Sequence, residues 1–361
     1  MSVAADLQPL RAPFPYFGGK RRAASLVWSA LGDARHYVEP FCGSAAVLLA
    51  RPHAPQTETI NDADGMVANF WRALRAAPSE VARHADWPVI EADLHARHRW
   101  LLGQRESLTE ALVNDPHYFD AKIAGWWCWG ACAWIGDGWC TAPSRQLRHL
   151  SDAGRGVHAP SRQLPHLGNA GRGVHAVHAP SRQLPHLGNA GIGVHAKRRR
   201  AAFADESVAF DSIGAWFDAL AARLRHVRVA SGSWERVLGP CALVADARAK
   251  CHRIGVYLDP PYSEGNQQYA AGGTGTGLSA DVRAWCAEHG DDPRLRIVLS
   301  GYAGEHDALE ARGWTVIAWK TKGGYANVGQ NVGQNVNRTR ERLWLSPHCE
   351  HAKQLSLVEA R

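Results

Sequence analysis

The stretch Val256-Tyr257-Leu258-Asp259-Pro260-Pro261-Tyr262 decides the fold, because it marks where a buried strand stops. Three apolar residues lead into two prolines, which cannot donate to a sheet ladder, so the strand ends at the acid. The loop presents the Asp259 carboxylate, the Pro260 carbonyl and the Tyr262 ring. Two acceptors and an aromatic face suit a flat heterocycle that bears an amino group. On its own the loop fits nucleotide kinases, deaminases and methyltransferases alike.

An earlier stretch, His36-Tyr37-Val38-Glu39, also reads as a strand that ends in an acid. A tight turn and an apolar helix follow it, as in the first β-loop-α unit of a doubly wound sheet. We expect Gly43 to allow close approach of a ligand and Ser44 to cap the helix. The spacing is not that of a pyrophosphate-binding loop, so Glu39 is predicted to accept hydrogen bonds from a polar or cationic ligand.

A third strand, predicted around Ile60, ends in the acids Asp62 and Asp64. Acids at this place hold ribose hydroxyls in nucleotide-binding sheets, and Asp62 is the candidate. Asp64 is the alternative, although it could instead cap the helix predicted from Met66 to Arg75. An adenosine ligand without a phosphate cradle indicates S-adenosylmethionine rather than NAD or ATP.

Near the amino end, Gly18-Gly19-Lys20 precedes a helical pattern. Consecutive glycines let the backbone approach a ligand closely, and amides at a helix start favour negative charge. Any nucleotide-like ligand or nucleic acid could use such a segment, and a helix entry with a solvated basic end is the alternative.

Taken in order, these motifs resemble the Dam-type (D12 class) N6-adenine DNA methyltransferases. The motifs are Phe-Pro-Tyr-Phe-Gly-Gly-Lys, Glu-Pro-Phe-Cys-Gly-Ser, Asn-Asp-Ala-Asp and Asp-Pro-Pro-Tyr, within residues 13–75 and 250–350. Later strands, such as the one from Arg342 to Leu345, are similar to those of phage-borne members. The resemblance implies a Rossmann-like S-adenosylmethionine-dependent α/β sheet with a helical target-recognition insertion. It also implies a cofactor pocket lined by Tyr16, Gly18, Glu39, Phe41, Gly43 and Asp62, with Lys20 near the cofactor or the DNA.

The resemblance divides the chain at its motifs. Residues 1–75 and 240–361 form the expected catalytic domain, and residues 76–239 form the expected target-recognition domain. The latter begins with a helical pattern from Trp71 to Val113, and a tryptophan-rich run follows at residues 126–139. We interpret this run as a buried helix whose tryptophans stabilise a small helical domain, and base stacking on the rings is the alternative. Cys128 and Cys132 lie one helical turn apart there, but without a second ligand pair we predict no metal site.

A basic repeat follows at residues 142–200, where Ala-Pro-Ser-Arg-Gln-Leu begins at Ala142, Ala159 and Ala179. Nine arginines and one lysine against one aspartate give this segment a charge of +9, whereas the 361-residue chain carries +7 in total. Arginines on DNA release counterions, so phosphate contact is one interpretation. A repeat expansion whose arginines stay solvated is the other. The DNA-contact candidates are Lys20, Arg145, Arg162, Arg182, Arg198 and Arg199.

Composition limits the class of protein. An apolar content of 45% and a charged content of 21% are typical of a globular chain, and no run approaches the length of a membrane span. The amino end lacks the layout of a secretory signal, and the eight scattered cysteines favour free thiols. We therefore expect a cytoplasmic protein. The resemblance implies double-stranded DNA as the substrate, and we expect the chain to act as a monomer. A partner restriction endonuclease stays an open question.

The predicted reaction is site-specific methylation of DNA at N6 of an adenine flipped out of the duplex. Asp259, Pro260, Pro261 and Tyr262 are the catalytic candidates. Asp259 is also expected to line the cofactor pocket, together with Tyr16, Gly18, Gly19, Lys20, Glu39, Phe41, Gly43, Ser44 and Asp62. The alternatives are an N4-cytosine DNA methyltransferase, in which serine is more usual at the Asp259 position, and a non-catalytic DNA-binding protein that retains the fold.

Overall fold

The computed structural model describes residues 10–16, 20–115, 117–134, 139–140, 212–243, 253–262, 275–319 and 340–350. Its centre is a seven-stranded sheet in the order β3-β2-β1-β4-β5-β7-β6. The strands are β1 His36–Glu39, β2 Thr57–Asp62, β3 Val227–Ser231, β4 Ile254–Leu258, β5 Leu295–Tyr302, β6 Thr315–Ala318 and β7 Glu341–Leu345.

Neighbouring strands from β3 to β5 run parallel, whereas β7 lies antiparallel between β5 and β6. The chain leaves β1 for β2 on one side and later returns to β4 on the other. The order of strands therefore reverses between β1 and β4, where doubly wound sheets bind their ligands. The predicted Rossmann-like α/β fold is confirmed.

Helices and 3₁₀ turns connect the strands. The helices are α1 Ala24–Leu31, α2 Ala46–Leu49, α3 Gly65–Ala76, α4 Pro78–Ala85, α5 Glu91–Asn114, α6 Ala121–Ala133, α7 Ile213–Leu224, α8 Pro240–Leu243 and α9 Gly275–His289. The 3₁₀ turns are Trp234–Val237 and Asp307–Arg312. Among the described residues, no helix is both long and apolar enough to cross a bilayer.

Two helix predictions need correction. The pattern predicted as helical from Trp71 to Val113 is three helices, because Pro78 opens a new helix after Ala77 leaves helical geometry at φ −146°. The sequence from Glu305 to Arg312 predicts a helix before the strand Trp314 to Trp319, but the structure has a 3₁₀ turn at Asp307–Arg312, which is capped by Gly313 with φ +81°.

The central strands are buried on both faces, which explains their continuous apolar sequences. Tyr37, Tyr257 and Val298 pack into one core cluster, together with Trp71 and Phe217. Their strand neighbours point to the opposite face and join a second cluster, which contains Val38, Val256, Leu258, Ile297 and Trp344. Side chains alternate along a strand, so each short strand supplies both layers of the core.

The tryptophan-rich helix α6 is part of this packing. Trp127 and Trp129 are buried, and Cys128 and Cys132 both lie against the carbonyl of Pro13, at 3.8 and 3.7 Å. The interpretation of the tryptophan run as a buried helix is therefore confirmed for Trp127 and Trp129.

A buried ion network fixes β2 at its amino end. Glu58 accepts two hydrogen bonds from Arg223, at 2.6 and 2.8 Å, and one from Arg51 at 3.1 Å. Glu58→Ala is expected to lower the free energy of unfolding by about 3–5 kcal/mol, because two guanidinium groups lose their common carboxylate. Chemical denaturation measures this loss. Glu80→Ala, which removes an exposed pair with Arg83, is the control and should change stability by about 1 kcal/mol or less. An equal effect of the two substitutions would contradict the assignment.

Candidate active site

Three acids stand where parallel strands end at one edge of the sheet. Glu39 is the last residue of β1, Asp62 is the last residue of β2, and Asp259 follows β4 directly. Because β1 pairs with both β2 and β4, the three acids line the point where the strand order reverses. The structure thus brings together the three strand ends that the sequence singles out.

The loop after β1 is held by hydrogen bonds to its neighbours. The amide of Gly43 donates to Asp62 Oδ2 at 2.9 Å, and Trp71 Nε1 donates to the carbonyl of Gly43 at 2.9 Å. Gly43 has a φ of +44°, and a Cβ built there would lie 2.3 Å from Cδ1 of Tyr16. Gly43 therefore lies against both Tyr16 and Asp62, and the loop leaves no room for a side chain at position 43.

Ser44 does not cap the following helix, so that prediction is wrong. The N-cap residue of α2 is Ala45, which has a left-handed φ of +51°, and no side chain caps the helix. A capping hydroxyl must lie on the residue that immediately precedes the helix. Because Ala45 is left-handed, the helix begins at Ala46. Ser44 therefore lies one residue before the N-cap position.

Asp62 and Asp64 have different surroundings. Asp62 accepts the amides of Gly43 and Asp64 on its two oxygens, each at 2.9 Å. Asp64 caps α3 by accepting the amide of Met66 at 2.9 Å, and it pairs with Arg105 at 2.6 Å. The cap role left open for Asp64 is therefore the observed one, and Asp62 remains the candidate for a ligand. Burial raises the pKa of Asp62 to about 7.

Glu39 is almost wholly enclosed. Its Oε2 accepts from the hydroxyl of Tyr37 at 3.0 Å and from the amide of Leu48 at 3.3 Å. Burial raises the pKa of Glu39 to about 8, although these two hydrogen bonds act in the opposite direction. A carboxyl group with this pKa gains its charge readily when a cation or a strong donor approaches.

A cluster of four side chains surrounds the end of β4, and we call Lys20, Asp259, Tyr262 and Glu341 the Lys20 cluster. Lys20 Nζ lies 3.2 Å from Asp259 Oδ1, 2.5 Å from the Tyr262 hydroxyl and 3.3 Å from Glu341 Oε2. The Tyr262 hydroxyl is 3.1 Å from both Asp259 Oδ1 and Glu341 Oε2. Among the described residues, Lys20 and Tyr262 are the side chains that contact the Asp259 carboxylate, and both contact its Oδ1 atom.

Burial and charge act against each other in this cluster. Burial raises the pKa of Asp259 to about 6; Lys20 opposes that rise and Glu341 adds to it. Burial lowers the pKa of Lys20, but the carboxylates of Asp259 and Glu341 outweigh it, so that the pKa is raised overall. Burial, reinforced by the two carboxylates, raises the pKa of Tyr262 well above its usual value. Near neutral pH, Lys20 is thus a cation and Tyr262 a neutral phenol.

The ring of Tyr262 also has fixed contacts, in addition to those of its hydroxyl. Lys20 Nζ lies 4.9 Å from the ring centroid, and Tyr302 packs against the ring edge-on with centroids 4.6 Å apart. The backbone reaches this ring through the two prolines, of which Pro260 is buried and Pro261 partly exposed. The stacking of a base on Tyr262 stays a prediction.

A family comparison identifies the segment that contains two of the three acids. Residues 16–90 match the family model of the D12 class N6 adenine-specific DNA methyltransferases. The match confirms the predicted resemblance for β1, β2 and α1 to α4, while residues 91–361, including Asp259, lie outside it. No curated protein matches the chain.

Sequence reasoning missed two residues that lie beside the D12-class segment. Trp234 stacks on Phe41 with ring centroids 6.1 Å apart and an interplanar angle of 27°. The sequence could have pointed to Trp234, because this tryptophan lies in a polar stretch directly after the strand β3. Glu341 belongs to β7, although the strand was predicted to begin at Arg342. The alternation of Glu341, Leu343 and Leu345 on one face of the strand could have revealed it.

Several predicted residues lie outside the described part of the chain. They are Gly18, Gly19, Arg145, Arg162, Arg182, Arg198 and Arg199, with the whole basic repeat at 142–200. The glycine-rich stretch from Ser263 to Gly277 predicts a flap over the base, and the polar stretch between Lys320 and Arg342 predicts a hairpin. Residues 263–274 and 320–339 lie outside the described part as well, whereas Gly275 begins helix α9 and Glu341 begins strand β7, so the flap prediction is wrong for residues 275–277.

Proposed function

We propose that the chain is a site-specific, adenine-specific DNA methyltransferase that transfers a methyl group to N6 of a flipped adenine. The observation that carries the proposal is Asp259-Pro260-Pro261-Tyr262 at the point where the strand order reverses, beside a segment that matches the D12 class. A carboxylate and a carbonyl in one rigid loop match the two hydrogens of an exocyclic amino group.

The donor and acceptor set at the sheet edge fits S-adenosylmethionine, on which D12-class enzymes depend. Buried carboxylates line the edge, and they suit ribose hydroxyls, an ammonium group and a positively charged sulfur. When bound, the cofactor supplies a methyl group on cationic sulfur, and the C–S electron pair stays with the sulfur on transfer. We propose that Tyr16, Gly18, Gly19, Lys20, Glu39, Phe41, Gly43, Ser44, Asp62 and Asp259 form its pocket.

The proposed role of the loop is to activate a poor nucleophile. The amino nitrogen of adenine shares its lone pair with the ring, so the nitrogen must leave the ring plane to react. Asp259 Oδ2 and the Pro260 carbonyl each accept one N–H and draw the lone pair outward. Methylated N6 then loses one proton, which the carboxylate that already accepts that N–H can take. Stacking on Tyr262 offsets part of the cost of flipping, which is a few kcal/mol.

The two proposed domains have different roles. Residues 1–75 and 240–361 carry the chemistry, and residues 76–239 recognise the target, with the basic repeat at 142–200 contacting phosphate through its arginines. The structure adds that β3, within 76–239, pairs with β2 and so extends the catalytic sheet. Lys20 is only 5% exposed and contacts two acids, which favours a role in the site over a phosphate contact. We propose that one copy of the chain acts on duplex DNA.

The raised pKa of Asp62 makes binding depend on pH. Because this pKa lies above its unfolded value, the associated stability is complete below about pH 4 and is lost as the pH rises through about 7. Ribose hydroxyls bind the ionised form more strongly, so affinity for S-adenosylhomocysteine should rise about tenfold between about pH 5.5 and 7. Calorimetry should show a smaller rise in Asp62→Asn, in which Glu39, whose pKa is raised to about 8, still titrates. A full rise in that variant would assign the titration to another group.

A transfer assay tests the function. The purified chain is incubated with cofactor labelled on the transferred methyl group and with duplex DNA, RNA or an unrelated protein. We expect label in DNA alone. Cofactor binding without transfer to any of these acceptors would support the non-catalytic alternative, and label in RNA or protein would overturn the assignment to DNA.

A further inference from the structure

The side chain of Glu341 serves the active site rather than the fold. It is 7% exposed, and the contacts of its carboxylate among the described residues go to Lys20 Nζ at 3.3 Å and to the Tyr262 hydroxyl at 3.1 Å. Glu341 is the first residue of β7 and pairs with Tyr302, the last residue of β5. The antiparallel strand β7 thus places Glu341 beside the loop that follows β4.

The charge of the Lys20 cluster is unbalanced. Lys20 provides one positive charge, whereas Asp259 and Glu341 provide two negative charges when both are ionised. A buried excess charge is costly unless a partner arrives to neutralise it. A positive charge carried into the site, or developing on the amino nitrogen during transfer, is such a partner.

The geometry shows how Glu341 acts on Asp259. Lys20 and the Tyr262 hydroxyl both contact Asp259 Oδ1, and Glu341 Oε2 contacts both of these groups as well. The phenol has a single proton, so it can donate to only one carboxylate at a time while it accepts from Lys20. With both of these contacts on Oδ1, Oδ2 is the oxygen that the described residues leave available to a ligand.

We propose that Glu341 is a positioning residue for methyl transfer. It holds Lys20 and Tyr262 against one oxygen of Asp259, so that the other oxygen meets the target amino group, and its charge supports the positive charge of the transition state. The inference rests on the proposed function and assigns a role to a residue outside the Asp-Pro-Pro-Tyr loop.

The test compares Glu341→Gln and Lys20→Met with Glu288→Gln, which removes an exposed acid on α9. Glu341→Gln is expected to lower kcat by about tenfold to a hundredfold, because the reacting groups lose their alignment. The KM values for cofactor and DNA should stay within about threefold of wild type. Glu288→Gln should match wild type. A Glu341→Gln enzyme with unchanged kcat would overturn the proposal.

The pH profile separates this role from a merely structural one. Charged and titratable groups that act on Asp259 come from several elements: Lys20, Glu341, Tyr262, Tyr257 and Glu39. Removing Glu341 should move the acid limb of kcat/KM to lower pH, and removing Lys20 should move it to higher pH. Loss of stability alone would not shift the limb in opposite directions. Shifts in the same direction would contradict the arrangement.

A second variant keeps the test decisive if Glu341→Gln does not fold. Tyr262→Phe keeps the ring and removes the hydroxyl that joins Glu341 to Asp259, and its kcat is expected to fall about tenfold. An unchanged kcat would overturn the proposal. If the wild-type chain itself transfers no methyl group to DNA, the proposed function fails. If the wild type is active and these variants equal it, only the role of Glu341 fails.

Discussion

Replacing Asp259 with asparagine is expected to lower the rate of methyl transfer by about 10³-fold, the upper range for losing one preorganised polar group. Asparagine keeps the size of the side chain but has one acceptor oxygen instead of two. The Lys20 cluster already uses one oxygen of Asp259, at 3.2 Å from Lys20 Nζ. The amide nitrogen of the asparagine would then face either Lys20 or the amino group of adenine. It cannot accept a hydrogen bond from either group, because an amide nitrogen is a donor.

Binding measurements show whether Asp259→Asn slows the methyl-transfer step itself or weakens the binding of cofactor or DNA. A fluorescence titration with duplex DNA should give an affinity within about threefold of wild type. Calorimetry with cofactor should show a loss of affinity much smaller than the loss of rate, because Asp259 is only one of the residues of the proposed cofactor pocket. Asp291→Asn changes an exposed aspartate on the same chain and should leave the rate unchanged. An Asp259→Asn enzyme that retains near-native rates would contradict the assignment of the amino-group acceptor.

Replacing Gly43 with alanine is expected to abolish high-affinity cofactor binding, with a loss of about a hundredfold or more. The left-handed φ of +44° costs a non-glycine residue about 1–2 kcal/mol, and the new Cβ would lie 2.3 Å from the Tyr16 ring. The loop or Tyr16 must move, which disturbs the hydrogen bond from the Gly43 amide to Asp62. Calorimetric titration with S-adenosylhomocysteine measures the loss.

Gly313→Ala is the matched control for backbone strain. Gly313 has a φ of +81°, but the nearest atom to a Cβ there is 3.5 Å away, an ordinary contact. This variant should lose about 1–2 kcal/mol of stability and keep its cofactor affinity. If Gly43→Ala also keeps its affinity, the loop after β1 does not line the cofactor pocket.

Local patterns were enough to predict the strand ends that form the candidate site. The apolar run before Asp259 and the strand before Glu39 each carry their stop signal in the next residues, and the acids follow from the positions of the stops. The choice between Asp62 and Asp64 needed three-dimensional contacts, because Arg105 on α5 pairs with Asp64.

Strand alternation could have placed Glu341 on β7, but its contact with Lys20 and Tyr262 could not be predicted, because that contact depends on long-range pairing. Lys20, Asp259 and Glu341 come from three distant segments, and only the antiparallel insertion of β7 beside β5 brings Glu341 to the site. Arg340-Glu341-Arg342 looks like a solvated stretch in the sequence. The 3₁₀ turn before Gly313 and the left-handed Ala45 are likewise set by packing rather than by residue preference.

The identity of the methylated nucleoside tests the central claim most directly. DNA from cells that produce the chain, and from matched cells that produce Asp259→Asn, is digested to nucleosides and analysed by mass spectrometry. Cells that lack adenine methylation of their own provide the background. The proposed function predicts N6-methyl-2'-deoxyadenosine in the wild-type sample and none above background in the variant sample. N4-methyl-2'-deoxycytidine in its place, or equal N6-methyl-2'-deoxyadenosine in both samples, would contradict the assignment.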